Sequence, residues 1–309
     1  MTPHGLMFHY FHDNKRYIPS QGSITANEFD RMLSFYKKRF NVLSAEQWLE
    51  KARSNTLTKR DACVTFDDTL RCQFDIALPV LQKHNLKAFW FICTAVFQKD
   101  PPKLELYRYY RFKKFKRIND FYAAFDERIA SSPLKKKVAR GLKRFDHKKA
   151  FIPYRIYTLE DKKFRYIRDM ILNRVEYEWI MDRMIKDSGL EPKKLYRLLW
   201  VNQRHILKLS KLGHIIGLHS HTHPTNLKKL PKKRQEYEYE KNISVLTRLL
   251  HKDIITMSHP DNSYSTSTLR ILKTMGVTIG FRATMDKKKF SKLEFPRLDQ
   301  AYLIKEIRK

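Results

Sequence analysis

Short apolar runs alternate with helical patterns over much of the chain. Residues 5–10, 62–66, 88–92, 214–218, 254–257, 277–281 and 293–298 read as seven strands. Between them the pattern switches to a helical period. Thr25 and Glu28 form a capping-box pair that opens a helix running to about residue 40, and Ser44 with Gln47 opens a shorter one. Further helices are expected over 73–84, 232–250 and 265–275, the last closed by Gly276. The rhythm breaks at Pro101-Pro102, and from there to about residue 199 the chain is basic, aromatic and mostly helical.

Near-continuous apolar strands separated by helices predict an α/β fold with a parallel sheet covered by helices. The pattern alone allows a closed barrel or an open doubly wound sheet. No Gly-x-Gly-x-x-Gly follows the first strand and no Walker phosphate loop is present, which argues against nucleotide-binding forms. In parallel folds chemistry gathers at the C-terminal ends of strands.

The second strand ends in Thr65-Phe66-Asp67-Asp68. Adjacent carboxylates repel each other and are tolerated where a cation or a shared proton compensates them. The blander reading is a helix N-cap with a spare surface aspartate. The fourth strand ends in His219-Ser220-His221-Thr222-His223-Pro224. Two of these imidazoles can share one face and hold a divalent ion, whereas the blander reading is a loop of solvated histidines. One carboxylate with two imidazoles leaves ligand positions open, and the second carboxylate is then free to act as a base on water.

These segments resemble the polysaccharide deacetylases of the NodB-homology group, carbohydrate esterase family 4. Asp67-Asp68 resembles their first motif and His219 to His223 their second, His-(Ser/Thr)-x-x-His. Residues 258–264, with Asn262 at the tight-turn place, lie where relatives carry a third motif. The resemblance covers about residues 4–98 and 213–300. It implies an irregular (β/α)7 barrel, with 1–100 and 201–309 forming the barrel and 101–200 a basic helical insertion. It also implies Asp68, His219 and His223 as ligands of a divalent metal, Zn²⁺ first. On the same resemblance Asp67 would be the general base of metal-activated water, Arg297 would orient it, and the 259–264 turn, with Tyr264, would serve substrate and oxyanion. A surface ion pair with Asp299 is the competing reading for Arg297. The family's late histidine motif, which supplies the general acid, is not visible. His12 and His259 are the candidates put in its place. His9 also ends the first strand and could face the same mouth, and His221 could point either way.

Composition changes the picture in one respect. Sixty-three Lys and Arg against 32 Asp and Glu give a net charge of +31, which implies a negatively charged partner. Hydrophobic residues at 42% are too many for a disordered basic tail. Cys63, Cys72 and Cys93 form no disulfide framework. No signal-peptide pattern opens the chain and no apolar run reaches the length of a membrane span, so a cytoplasmic location is expected, with peripheral contact at the inner membrane face. Much of the excess charge lies in the insertion, where Arg108, Arg111, Lys135, Lys136, Lys137, Arg165 and Arg168 alternate with aromatics. That mixture suits a nucleotide- or lipid-linked sugar or an anionic membrane, and nucleic acid ranks below both.

The chain therefore reads as a hydrolase that removes an acetyl group, N-acetyl first, from a sugar in surface polysaccharide or lipopolysaccharide assembly. The alternative is a degenerate deacetylase fold that binds an anionic membrane or RNA through its insertion.

Overall fold

The computed structural model describes residues 2–20, 22–150, 157–286 and 289–307. It divides into two compact units, Met1–Pro102 with Arg197–Lys309, and Lys103–Tyr196. Residues 151–156 of the expected 101–200 insertion lie outside the described residues.

The first unit is a parallel barrel. Its strands are β1 (His4–Phe8), β2 (Asn41–Leu43), β3 (Asp61–Phe66), β4 (Phe89–Ile92), β5 (Ile215–Leu218), β6 (Thr256–Ser258), β7 (Ile279–Phe281) and β8 (Arg297–Asp299). Seven follow one another in the order β7-β6-β5-β4-β3-β1-β8, and β2 pairs with the N-terminal half of β3. All described pairs are parallel. The sheet nearly closes on itself: Phe281 bridges Phe295, and Gly280 N–H donates to the Lys292 carbonyl at 2.8 Å. Gly280 is required there, because a Cβ would lie 2.5 Å from the Leu293 carbonyl oxygen.

The helices of this unit are α1 (Ala26–Lys37), α2 (Ala45–Ser54), α3 (Leu78–Lys83), and, after the second unit, α10 (Gln203–Lys211), α11 (Lys232–Leu250), α12 (Thr266–Thr274) and α13 (Gln300–Ile307). Both expected capping boxes form, at Thr25/Glu28 and at Ser44/Gln47. The expected helix over 73–84 is corrected: Gln73–Ala77 is a π-helical turn that runs into α3. Pro79 lacks the N–H that would continue an α-helical ladder back to residue 75, so the turn before it widens. The short β2 escaped the sequence pattern because only Val42 and Leu43 of its three residues are apolar. The last three expected strands start later than predicted, at Thr256–Ser258, Ile279–Phe281 and Arg297–Asp299.

Aromatic packing fills the wall of the barrel. Phe66 stacks on Trp90 at 4.3 Å, and Phe8 meets Phe29 edge-on at 4.7 Å. Burying such rings stabilises by roughly 2–3 kcal/mol each, and it fixes the strands whose ends carry the polar residues described below.

The second unit is helical: α4 (Leu104–Lys114), α5 (Ile118–Ala130), α6 (Lys135–Leu142), α7 (Leu159–Tyr166) and α8 (Arg174–Asp187), with α9 (Pro192–Leu199) running past its end. Phe121, Phe125 and Phe164 form its core, with ring centroids 5.0–5.9 Å apart. Among the described residues no helix is long and apolar enough to cross a membrane.

Candidate functional site

The register of the barrel decides which polar residues meet. Phe8 pairs with Phe66, so His9 and Asp67 leave adjacent strands side by side. Leu218 pairs with Ile92 and with Met257, so His219 emerges next to Ser258. Gly5 pairs with Arg297. A Cβ at residue 5 would lie 2.9 Å from Arg297 Cγ, so glycine there lets the arginine side chain cross β1.

Asp68, His219 and His223 form a compact cluster. Nε2 of each histidine lies 3.2 Å from Asp68 Oδ1. The ligand atoms of the three residues all fall within 4.8 Å of one another. The loops that carry them are held in unusual backbone conformations. Asp68, Thr69, Ser220 and His223 have φ of 71°, 62°, 62° and 52°, and Asp261 and Asn262 have 48° and 54°. Such left-handed residues persist only where the surroundings dictate them, and they gather at functional sites. Asn262 adopts the positive φ expected from its place in the turn.

The donor set fits a divalent cation. His219 Nδ1 lies 3.0 Å from the Ser258 carbonyl and 2.7 Å from Ser258 Oγ, while Ser258 Oγ donates to Asp67 Oδ1 at 3.1 Å. The Nδ1 proton is thereby used on Ser258, and the Nε2 lone pair faces a carboxylate oxygen. Two acceptors face to face need a positive charge between them. His223 Nδ1 has Asp261 Oδ2 at 4.0 Å. Burial pushes the Asp68 carboxyl up, but the two histidines facing it outweigh burial and hold it well below the usual carboxylate range.

Asp67 lies beside this cluster without joining it. Arg297 Nη1 and Nη2 donate to its two oxygens, each at 2.7 Å. Arg297 Nε donates to the Arg282 carbonyl at 3.0 Å, which fixes the guanidinium plane. Burial raises the pKa of Asp67, yet the Arg297 charge, followed by His219, brings it below the ordinary value. Asp299 instead accepts the Ala301 N–H at 2.7 Å, so the surface pair with Arg297 does not form.

The other predicted residues separate. His12 is not at the cluster; its Nδ1 meets Ser23 Oγ at 2.9 Å. His9 stands in its place, with Nε2 3.9 Å from Asp67 Oδ2 and 3.8 Å from Asp68 Oδ2. Sequence reasoning placed both histidines at the first strand end, and the Phe8–Phe66 register selects between them. His259 is buried in the wall, with Nε2 donating to the Leu293 carbonyl at 2.9 Å. Burial pulls its pKa down to about 4, which does not suit an acid working near neutrality. Tyr264 stacks on His259 at 4.0 Å and hydrogen-bonds Glu294 and Arg282, with burial pushing its pKa up to about 12. In the same turn the N–H groups of His259, Asn262 and Ser263 donate to the Phe281, His259 and Pro260 carbonyls. His221 points away, held by Thr94 Oγ1 at 2.8 Å and Gln98 Nε2 at 3.0 Å. Ser258 opens the 258–264 segment singled out in the sequence, but nothing there marks it as a contact of His219 and Asp67, because a serine at a strand end is common.

Comparison with known proteins follows the same outline. A family profile described as polysaccharide deacetylase matches residues 170–280, which include the histidine cluster. No curated protein matches the chain significantly. Among solved structures, a de-N-acetylase from Aggregatibacter actinomycetemcomitans is 14% identical, with 99% of each chain covered and a TM-score of 0.56. IcaB from Ammonifex degensii is 12% identical over the whole of both chains, also with a TM-score of 0.56. The Streptococcus pyogenes deacetylase PplD, solved in complex with acetate, is 14% identical over 97% of this chain and 92% of its own, with a TM-score of 0.54. At these identities the likeness is one of fold. The chain thus has the fold of these deacetylases and is similar to the polysaccharide deacetylase profile over residues 170–280.

Proposed function

We propose that the protein is a metal-dependent hydrolase that removes an acetyl group, N-acetyl first, from a sugar of a glycan. The observation that carries this reading is the pairing of two differently treated carboxylates. Asp68 faces two histidine nitrogens at 3.2 Å, and its neighbour Asp67 is clamped by Arg297 at 2.7 Å. Environments that separate adjacent carboxylates in this way assign them different roles.

Asp68, His219 and His223 would hold the cation, and the nitrogen-rich set suits Zn²⁺. The bound cation would supply Lewis-acid polarisation of the acetyl carbonyl and an increase in the acidity of water. Asp67, kept ionised by Arg297, takes the proton of the attacking water as oxygen adds to the carbonyl carbon. Arg297 positions Asp67. His9, within 4 Å of both carboxylates, gives a proton to the sugar nitrogen as the C–N bond breaks, releasing acetate and an amine. In this reading His9 takes the general-acid role that the family's late histidine motif would supply. The same proposal includes a substrate from surface-polysaccharide assembly, which the family resemblance favours.

The test is metal content together with acetate release from N-acetylated sugars. Asp67→Asn should abolish release while keeping the metal, and His219→Ala should lose both. A purified protein that binds no divalent ion and releases no acetate from such sugars sinks the proposal.

A further inference from the structure

The loop that spaces His219 from His223 contains two left-handed residues, Ser220 at φ 62° and His223 at φ 52°. Such backbone holds only where the surroundings dictate it. Within the loop, Ser220 Oγ accepts the His223 N–H at 3.2 Å. The other constraints come from the end of β4 and from α11. Glu238 and Asn242 lie one helical turn apart on α11, and both are wholly buried.

Asn242 holds the first half of the loop. Its Oδ1 accepts the His219 N–H at 3.1 Å, and its Nδ2 donates to the Ile92 carbonyl at 2.9 Å and to Thr94 Oγ1 at 3.0 Å. Thr94 Oγ1 in turn lies 2.8 Å from His221 Nδ1, and the Ala95 N–H donates to the His221 carbonyl at 2.9 Å. Glu238 holds the second half. Thr222 donates to it twice, its N–H to Oε2 at 2.7 Å and its hydroxyl to Oε1 at 2.8 Å. Arg234 Nη2, 3.3 Å from Oε1, balances the charge. A buried carboxylate adds little net stability; what its two short bonds to one residue specify is geometry. With the His219 end fixed by Asn242, the Thr222 clamp decides where the next residue, His223, lies.

We propose that Glu238 is a positioning residue of the metal centre: acting through Thr222, it sets the separation of the His219 and His223 imidazoles. His221, the third histidine of the motif, is an anchor of the same loop. The inference rests on the reading of Asp68, His219 and His223 as the metal site.

The experiment measures Zn²⁺ affinity by chelator competition and the visible absorption of the Co²⁺-loaded protein, in the full chain and four variants. Glu238→Gln keeps the volume but offers one acceptor oxygen to two donors. Thr222→Val removes the hydroxyl, and Thr222→Ser keeps it. Gln235→Leu is the control, because Gln235 is buried on the same helix but bonds to Thr268 Oγ1 and the Leu230 carbonyl, outside the loop. Glu238→Gln and Thr222→Val are expected to weaken Zn²⁺ about 10- to 100-fold and to alter the Co²⁺ absorption. Thr222→Ser should restore most of the affinity lost in Thr222→Val. Gln235→Leu should lower the melting temperature of the metal-free protein and leave metal affinity and absorption unchanged. If Glu238→Gln does not fold, the Thr222 pair decides the matter. Wild-type affinity in Glu238→Gln and Thr222→Val, or an equal loss in Gln235→Leu, overturns the inference and leaves the metal site standing. A wild type that binds neither ion overturns the metal-site reading itself, and the inference with it.

Discussion

Arg297 and Asp67 lie 230 residues apart in sequence, yet they meet as a two-pronged ion pair in which both side chains are almost wholly buried. Removing one partner of such a pair strands the other charge and costs about 3–5 kcal/mol. Arg297→Met should therefore lower stability by that order at neutral pH, as read by urea unfolding, and should slow acetate release. The sign with pH follows from Asp67, whose folded pKa lies below the ordinary 3.8. Its contribution is present above that value and is lost as pH falls through the folded pKa. Wild type and Arg297→Met should converge in stability as pH falls through the folded pKa of Asp67, below 3.8.

His9 and His12 should separate cleanly in kinetics. His9→Gln should cut acetate release by about 10²–10⁴, the range for loss of a general acid, with metal content unchanged. His12→Gln, which removes only the contact with Ser23, should stay near wild type. Equal losses in the two variants would contradict the assignment of His9.

Ser258 Oγ touches both Asp67 and the His219 ring. Ser258→Ala leaves the Ser258 carbonyl for His219 Nδ1 but removes the shared hydroxyl. Loss of such a supporting group typically weakens a metal site about 10- to 100-fold. Competition with a chelator of known affinity reads this directly.

Acid should destabilise the fold well before the carboxylates titrate. Burial depresses His214 and His259 from 6.5 to about 4. A histidine with a depressed folded pKa stabilises above pH 6.5, and that contribution is lost as pH falls toward 4. Between pH 7 and pH 5 the loss should be about 2 kcal/mol for each. Urea midpoints across that interval check it, and His214→Gln should flatten the slope.

Gly280→Ala places a methyl group against the Leu293 carbonyl at the seam of the barrel. The clash is with backbone, so the 292–296 segment must move. A loss of about 2–3 kcal/mol is expected, visible as a lower melting temperature.

Much of this candidate site is legible in the sequence because its clustered carboxylates and imidazoles come from two short segments. Asp67-Asp68 and His219 to His223 each follow an apolar strand, and local spacing suffices to pair their chemistry. What the sequence hides is everything that depends on alignment between strands. Choosing His9 over His12 requires the Phe8–Phe66 pairing, and the role of Ser258 requires the Leu218–Met257 pairing. His221 alternates correctly with two ligands, yet the positive φ of Ser220 and His223 breaks the simple alternation and turns it toward Thr94. The parallel sheet is legible from seven apolar runs and its closure into a barrel only from the family resemblance, whereas β2 is too short to show a period.

The strand pairings have a consequence for divergence. His9, Asp67 and His219 each directly follow a paired strand residue, so their separations are inherited from main-chain hydrogen bonds. Main-chain bonds are indifferent to side-chain identity. The wall of the barrel can be rewritten almost completely, as 12–14% identity to proteins of the same fold illustrates, and main-chain pairing would still set the spacing of the rim. A one-residue deletion inside β1 or β3 is the opposite case: it would alter few residues, yet it would rotate a rim side chain into the wall.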